Sequence, residues 1–338
     1  MAPPTRARRV GVAAGVLVCA VAVTLPLGDF HPAAAAAPTP IVLPAALTSS
    51  AAKLGVNADL SGVQIFPKNN AWNTRIDKAR VDKSSKRLIA RLPGHLHADF
   101  GADWDGGPFG ISYVVVSGSQ PKVPVSFRWD KESDRGPYPI PADAPIEGGA
   151  ASDGDRHVLV LDRDNRRLYE IGNAFRQPDG SWQAGAGAIF NLGSNALRHD
   201  GWTSADAAGL PILPGLVRYD EVASGKITHA IRFTVARTRR AYVHPATHYA
   251  SSDRSTSLLP MGARLRLKKS FRLSGYHGQA RVILQAMKTY GLILADNGSN
   301  WFISGTADAR WNDDDLNQLK KVKGSAFEVV KLGKVHKG

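Results

Sequence analysis

ITHAIRFTV, residues 227–235, alternates without a break. Ile227, His229, Ile231, Phe233 and Val235 fall on one face; Thr228, Ala230, Arg232 and Thr234 fall on the other. A period of two, rich in β-branched and aromatic residues, marks a strand with one apolar face. The same reading extends outward. Val123 to Trp129 alternates, with Val123, Val125, Phe127 and Trp129 together, and Ile111 to Val116 and Ala188 to Leu192 are short apolar runs. His157 to Asp162 and Leu168 to Ile171 flank Arg163-Asp164-Asn165-Arg166, the chemistry of a hairpin turn. Ala263 to Leu273 reads as a long strand with basic residues on one side, and Phe327 to Val330 as a closing strand.

Helical signal is confined to the C-terminal third. Ala280 to Tyr290 has helical spacing and stops at Gly291, and Asp313 to Lys321 starts with acids and ends with two lysines, which suits a helix dipole. The expected architecture is therefore all-β: one β-sandwich or jelly-roll-like domain over 62–333 with two short C-terminal helices, a barrel being the alternative. Strands and helices do not alternate before residue 275, which argues against a parallel α/β fold.

The chain begins like an exported protein. Arg6, Arg8 and Arg9 precede an uncharged run from Val10 to Leu27, and five alanines follow at 33–37. That is the n-region, apolar core and small-residue end of a secretory signal. Pro38 disfavours a cut directly before it, so residues 1–36 are the expected signal. The sole cysteine, Cys19, lies inside the apolar run after Val18, which argues against lipidation and leaves the mature chain without a thiol. Disulfides, thiolate metal sites and cysteine nucleophiles are excluded for it. Residues 37–61, rich in Ala, Pro and Ser, read as a linker. The expected location is secreted, extracellular or wall-associated, with no stable membrane anchor.

Formal charge is +14 for the whole chain; removal of Arg6, Arg8, Arg9 and Asp29 takes away a net +2 and leaves +12. Outside a cell such a charge favours anionic wall polymers and uronate polysaccharides. No basic helix or finger spacing points to nucleic acid. GxSxG, HExxH, P-loop and GxGxxG motifs are absent from the sequence.

The candidates for chemistry are single residues. Glu170 stands among apolar neighbours, where desolvation raises a carboxyl pKa and suits a general acid. Asp206 stands between two alanines in the long Gly/Pro-rich segment 201–222, and is the candidate partner carboxylate; capping of a local turn is its plain alternative. His157 and His229 titrate near neutrality and are candidate proton or substrate contacts. Trp202, Arg232, Glu221 and Asp296 are candidate substrate-binding residues, although Asp296-Asn297 also reads as a tight turn between Leu292–Leu294 and Trp301–Ile303. His95, His97 and Asp99 have a metal-compatible spacing on a strand. His244 and His248 are four apart, but Pro245 argues against a helix through them. No metal and no cofactor are expected.

The blocks GDRHVLVLD (154–162), WTSADAAGLPILPGLVRYDEV (202–222), HAIRFT (229–234) and ADNGSNW (295–301) resemble a family of secreted bacterial proteins without an assigned activity. The resemblance implies one continuous domain and brings no catalytic assignment. Export, scattered tryptophans and semi-buried acids together lead to the expectation of a carbohydrate-active enzyme, a glycoside hydrolase with a carboxylate pair. A polysaccharide lyase and a noncatalytic wall- or glycan-binding protein are the alternatives. N-terminal sequencing of protein from culture medium should find a start at Ala36 or Ala37; an intact Met1, or a lipid on Cys19, would overturn the export reading.

Overall fold

The computed structural model describes residues 52–104 and 106–338. The expected signal, the first part of the linker and Asp105 lie outside the described residues. Strands dominate, arranged in several sheets, and the α-helices among the described residues are Ser85–Ile89, Tyr219–Ala223, Gly278–Thr289 and Asp313–Asn317. No helix among the described residues is long and apolar enough to cross a membrane.

The hairpin forms as read: Val158–Asp162 pairs antiparallel with Arg167–Gly172, Asp162 opposite Arg167. It is the centre of a five-stranded sheet that continues through Tyr113–Val116 to Gly55–Val56 on one side and Ala186–Asn191 on the other. The end of the Ala/Pro/Ser-rich segment is thus tied into the sheet, with Ala52 and Leu60 buried.

Period two sorts this sheet between two cores. Val158, Val160, Tyr169 and Ile171 face a small cluster with Tyr138, Trp182 and Ala184. Trp182 and Ala184 belong to a three-stranded sheet of Val125–Phe127, Trp182–Ala184 and Phe175–Arg176. Leu159, Leu161 and Leu168 join the main core on the other side. Both faces are covered, so the strands read as nearly continuous apolar runs.

A six-stranded sheet supplies another part of the main core. Its order is Phe327–Val329, Arg264–Leu267, Leu292–Asn297, Ile231–Val235, Phe302–Ser304 and His97–Asp99. Ile231–Val235 therefore lies inside the sheet and is buried along its whole length, Arg232 and Thr234 included. Alternation told the two faces apart but not which was wet, and neither is.

The pairing corrects one detail of the turn reading. Leu292–Asn297 and Phe302–Ser304 are not a hairpin; Ile231–Val235 runs between them, parallel to the first and antiparallel to the second. Asp296 and Asn297 close a strand rather than make a tight turn. The expected long strand at 263–273 is shorter, Arg264–Leu267, and two five-residue helices, Ser85–Ile89 and Tyr219–Ala223, precede the C-terminal third. Gly278–Thr289 is the expected helix, closed by Gly291 at φ +77°. A further strand, Val335–Lys337, lies past residue 333 and pairs with Arg239–Val243.

The segment after Trp202 has little regular structure, yet every residue from Ala208 to Arg218 is buried. Leu210, Ile212, Leu213, Leu216 and Val217 join the same apolar cluster as Leu159 and Leu168 of one sheet and Ile231 and Phe233 of the other. A buried loop must place its backbone polar groups. Ala208 N–H donates to Ala295, Val217 N–H to Ser304, and Thr306 N–H back to Val217. Ile212 and Leu213 N–H donate to the Glu170 carboxylate at 2.8–3.0 Å. Gly215 fits because it has no side chain: a Cβ there would stand 2.7 Å from the Trp72 ring and 2.8 Å from Arg232 Cβ. Gly215→Ala should therefore cost about 1–3 kcal/mol by overpacking, read as a lower urea midpoint. An unchanged midpoint would show that this packing yields freely.

Candidate functional site

Arg232 is the residue around which the site is built. It points away from the apolar face of its strand, and each terminal nitrogen has a partner. Nε and Nη2 bind the two oxygens of Asp206 at 2.8 and 2.9 Å, Nη1 donates to Ser304 Oγ at 2.7 Å, and Nη2 also reaches Asp296 at 3.2 Å. Asp206 comes from the buried segment and is fully enclosed. Its Oδ1 also accepts the N–H of Ala207.

Asp296 arrives by a bulge. In the parallel pairing Phe233 lies opposite Leu294, but Thr234 lies opposite Asp296, so Ala295 is the extra residue. A one-residue insertion exchanges the faces of everything beyond it. Regular pairing would put Asp296 on the face of Leu294, in the apolar core; the bulge puts it beside Thr234 on the face of Arg232. Burial and the negative charge of Asp206 then push its carboxyl up to about 7, against the pull of Arg232. Its side chain keeps 21% exposure, so it meets solvent.

A second buried pair adjoins the first. His157 Nδ1 donates to Glu147 and its Nε2 donates to the Ala205 carbonyl at 3.0 Å. Both ring nitrogens face acceptors, which is the pattern of an imidazolium. Burial alone would lower the His157 pKa, but Glu147 overrides it and raises it to about 9. For Glu147, burial raises and the His157 charge lowers, and the net shift is downward. Asp99, from the edge strand His97–Asp99, is raised by burial.

Of these groups, His157 and Asp296 open onto a cleft of about 520 Å³ that is also lined by Arg128, Trp129, Glu132, Asp155 and His248, among others. Asp155 is exposed, and Trp129 is 49% exposed with the Arg128 guanidinium 5.3 Å from its ring centre. The cleft thus carries a desolvated carboxyl, an open carboxylate, fixed positive charge and an aromatic face.

The residues singled out in the sequence are dispersed over the structure. His157 and Asp296 line this cleft, and Arg232 and Asp206 are hydrogen-bonded behind Asp296. Glu170 does not line this cleft; it is fully enclosed, with both oxygens taken by the N–H groups of Ile212 and Leu213. Burial pushes it up to about 7 while those two donors pull it back. His229 and Glu221 line a separate cleft of about 330 Å³ with Asp59 and Lys226. There Glu221 bridges His229, at 2.9 Å, and Arg218. The four residues expected to be catalytic therefore do not meet in one groove. Trp202 is half-buried against His199 and Arg198. His97 stacks on Phe302.

Sequence reading missed Glu147, Arg128, Glu132 and the exposure of Trp129. Alternation groups Trp129 with Val125 and Phe127, but the strand ends at Phe127 and releases it. Glu147 lies in irregular chain ten residues before its partner His157, and no local pattern marks it. Trp72, Trp182, Trp301 and Trp311 are core residues, leaving Trp104, Trp129 and Trp202 to meet solvent.

No protein-family model, curated protein or solved structure matches the chain.

Removing one partner of a buried ion pair strands the others. Arg232→Met should cost about 3–5 kcal/mol near neutrality. Asp296 already has a folded pKa above its unfolded one, and without the guanidinium it loses a charge that holds it down. The penalty is therefore present above roughly pH 4, and shrinks as pH falls and Asp296 takes up its proton. Urea titrations at pH 7.5 and pH 5 check this: the deficit should narrow at pH 5, and a pH-independent deficit would contradict the charge argument.

Proposed function

We propose that this is a secreted carbohydrate-active enzyme, a glycoside hydrolase, working in the cleft of Asp155, His157 and Asp296. Its frame is taken as a sandwich of the five- and six-stranded sheets about their shared core. The observation that carries the reading is Asp296: a carboxyl in the cleft wall, partly open to solvent, desolvated and sharing Arg232 with Asp206. Glycoside hydrolysis needs one acid that is protonated to donate to the leaving oxygen and one carboxylate that is ionised to act as base or nucleophile. Asp296 takes the first role and the open Asp155 the second. Asp206 and Arg232 are positioning residues: they fix Asp296 and set its proton affinity.

The remaining groups suit a sugar, and an acidic one best. Trp129 offers a ring face, and the Arg128 guanidinium beside it offers positive charge to hydroxyls or uronate carboxylates. The net charge of +12 left after signal removal favours the same substrates. A second reading is a noncatalytic wall- or glycan-binding protein, favoured by the exposed Trp129 with Arg128 over it, which binds a sugar without any chemistry.

A panel of uronate and wall-derived polysaccharides, followed for new reducing ends, tests the proposal. Asp296→Asn should lower turnover by about 10²–10⁴-fold with its urea midpoint retained. Trp129→Ala should raise KM and leave kcat nearly unchanged. Wild-type activity should fall as pH rises through about 7, where Asp296 loses its proton. Full activity in Asp296→Asn would refute the assignment. Unsaturated product would make the protein a lyase, and binding without cleavage would favour the second reading.

A further inference from the structure

Away from the cleft, three segments bring metal-ligating atoms together. Asp200 precedes Trp202 and the buried segment, His244 follows the strand Arg239–Val243, and His336 lies on the C-terminal strand Val335–Lys337. One carboxylate oxygen of Asp200, one ring nitrogen of His244 and one of His336 lie within 4.8 Å of one another. His244 Nε2 stands 2.8 Å from Asp200 Oδ1, and His336 Nδ1 stands 3.5 Å from Asp200 Oδ2. It is the one group of this kind among the described residues.

The fold fixes the convergence. His336 lies directly opposite Tyr242 in the antiparallel pairing and stacks on its ring, with centroids 4.9 Å apart. His244, two residues past Tyr242, meets the His336 ring at 4.5 Å. On the other side, Gly201 N–H donates to Thr247, and Thr247 Oγ1 donates to the Trp202 carbonyl at 2.9 Å, which holds Asp200 in place. Side-chain exposures of 49%, 45% and 19% for Asp200, His244 and His336 leave an open side for water or another ligand.

We propose that Asp200, His244 and His336 bind one divalent transition-metal ion of the zinc, copper or nickel class. Two imidazoles and one carboxylate are the ligand types such ions accept, and calcium and magnesium prefer all-oxygen sites. His244 coordinates through Nε2 and His336 through Nδ1, with the ion taking the place of the proton now shared with Asp200. Bound there, it clips the C-terminal strand to the start of the buried segment and so ties together stretches more than a hundred residues apart. The inference is independent of the chemistry proposed for the cleft.

Untagged mature protein, stripped with a chelator and dialysed, is titrated with zinc chloride by calorimetry, with calcium chloride in parallel. One zinc per chain should bind saturably, calcium should not, and zinc should raise Tm. His244→Ala and His336→Ala should each weaken binding by more than the roughly 10–100-fold that loss of an outer partner costs, and both should lose the zinc-dependent rise in Tm. His248→Ala should bind zinc as the wild type does, since His248 Nδ1 is already bonded to the Ala207 carbonyl. Circular dichroism of the stripped variants shows whether the fold is retained; should either fail to fold, Asp200→Asn with His336→Gln serves instead. No saturable zinc binding, or binding that survives both histidine substitutions, would overturn the proposal.

Discussion

A guanidinium enclosed in protein has to be matched by negative charge, and at Arg232 that requirement organises the molecule. Burying a charge costs several kcal/mol unless geometry and hydrogen bonds compensate. Here the compensation is bidentate contact with Asp206, a hydroxyl from Ser304 and a shared oxygen of Asp296. Those partners come from the buried segment and from both neighbours of the Arg232 strand. The segment must therefore lie across the sheet in one register, and the bulge at Ala295 must be present. Glu170 anchors the middle of the segment, accepting the N–H groups of Ile212 and Leu213 that would otherwise be buried without partners.

The same constraint shapes the cleft. Asp206 takes two short contacts from Arg232 and Asp296 one longer one, so burial and the neighbouring Asp206 raise Asp296 against the pull of the guanidinium. The Ala205 carbonyl, next to Asp206 in sequence, holds the imidazolium of His157. The fixed positive charge and the raised carboxyl are thus consequences of a single packing solution. If the metal clip forms, it fixes the chain just before that segment, four residues from Ser204.

Much of this was legible in local pattern. The hairpin at 158–172 follows from two apolar runs and an Asp/Asn turn, and the helix at 278–289 from its spacing and Gly291. What period two cannot say is whether the second face of a strand is wet. Arg232 and Thr234 look like a solvent face, yet the strand is internal and its polar face is filled by Asp206 and Asp296. The order of the six-stranded sheet also escapes local reading, because its neighbours are joined by long crossovers. Glu170 was legible as a desolvated carboxyl, but its donors lie 42 and 43 residues further on and make it a backbone anchor. Asp296 looked like a turn residue because a bulge leaves no mark on the alternation of one strand taken alone.

The account turns on the electrostatic coupling of Asp296 to Asp206 through Arg232, and side-chain carboxyl NMR on ¹³C-labelled protein measures it directly. Asp296 should titrate with a midpoint near 7 in the wild type. In Asp206→Asn that midpoint should fall, because the like charge is gone and Arg232 is left to Asp296 alone. An Asp296 that titrates in the ordinary range near 3.9, or whose midpoint does not move when Asp206 is neutralised, would contradict the account.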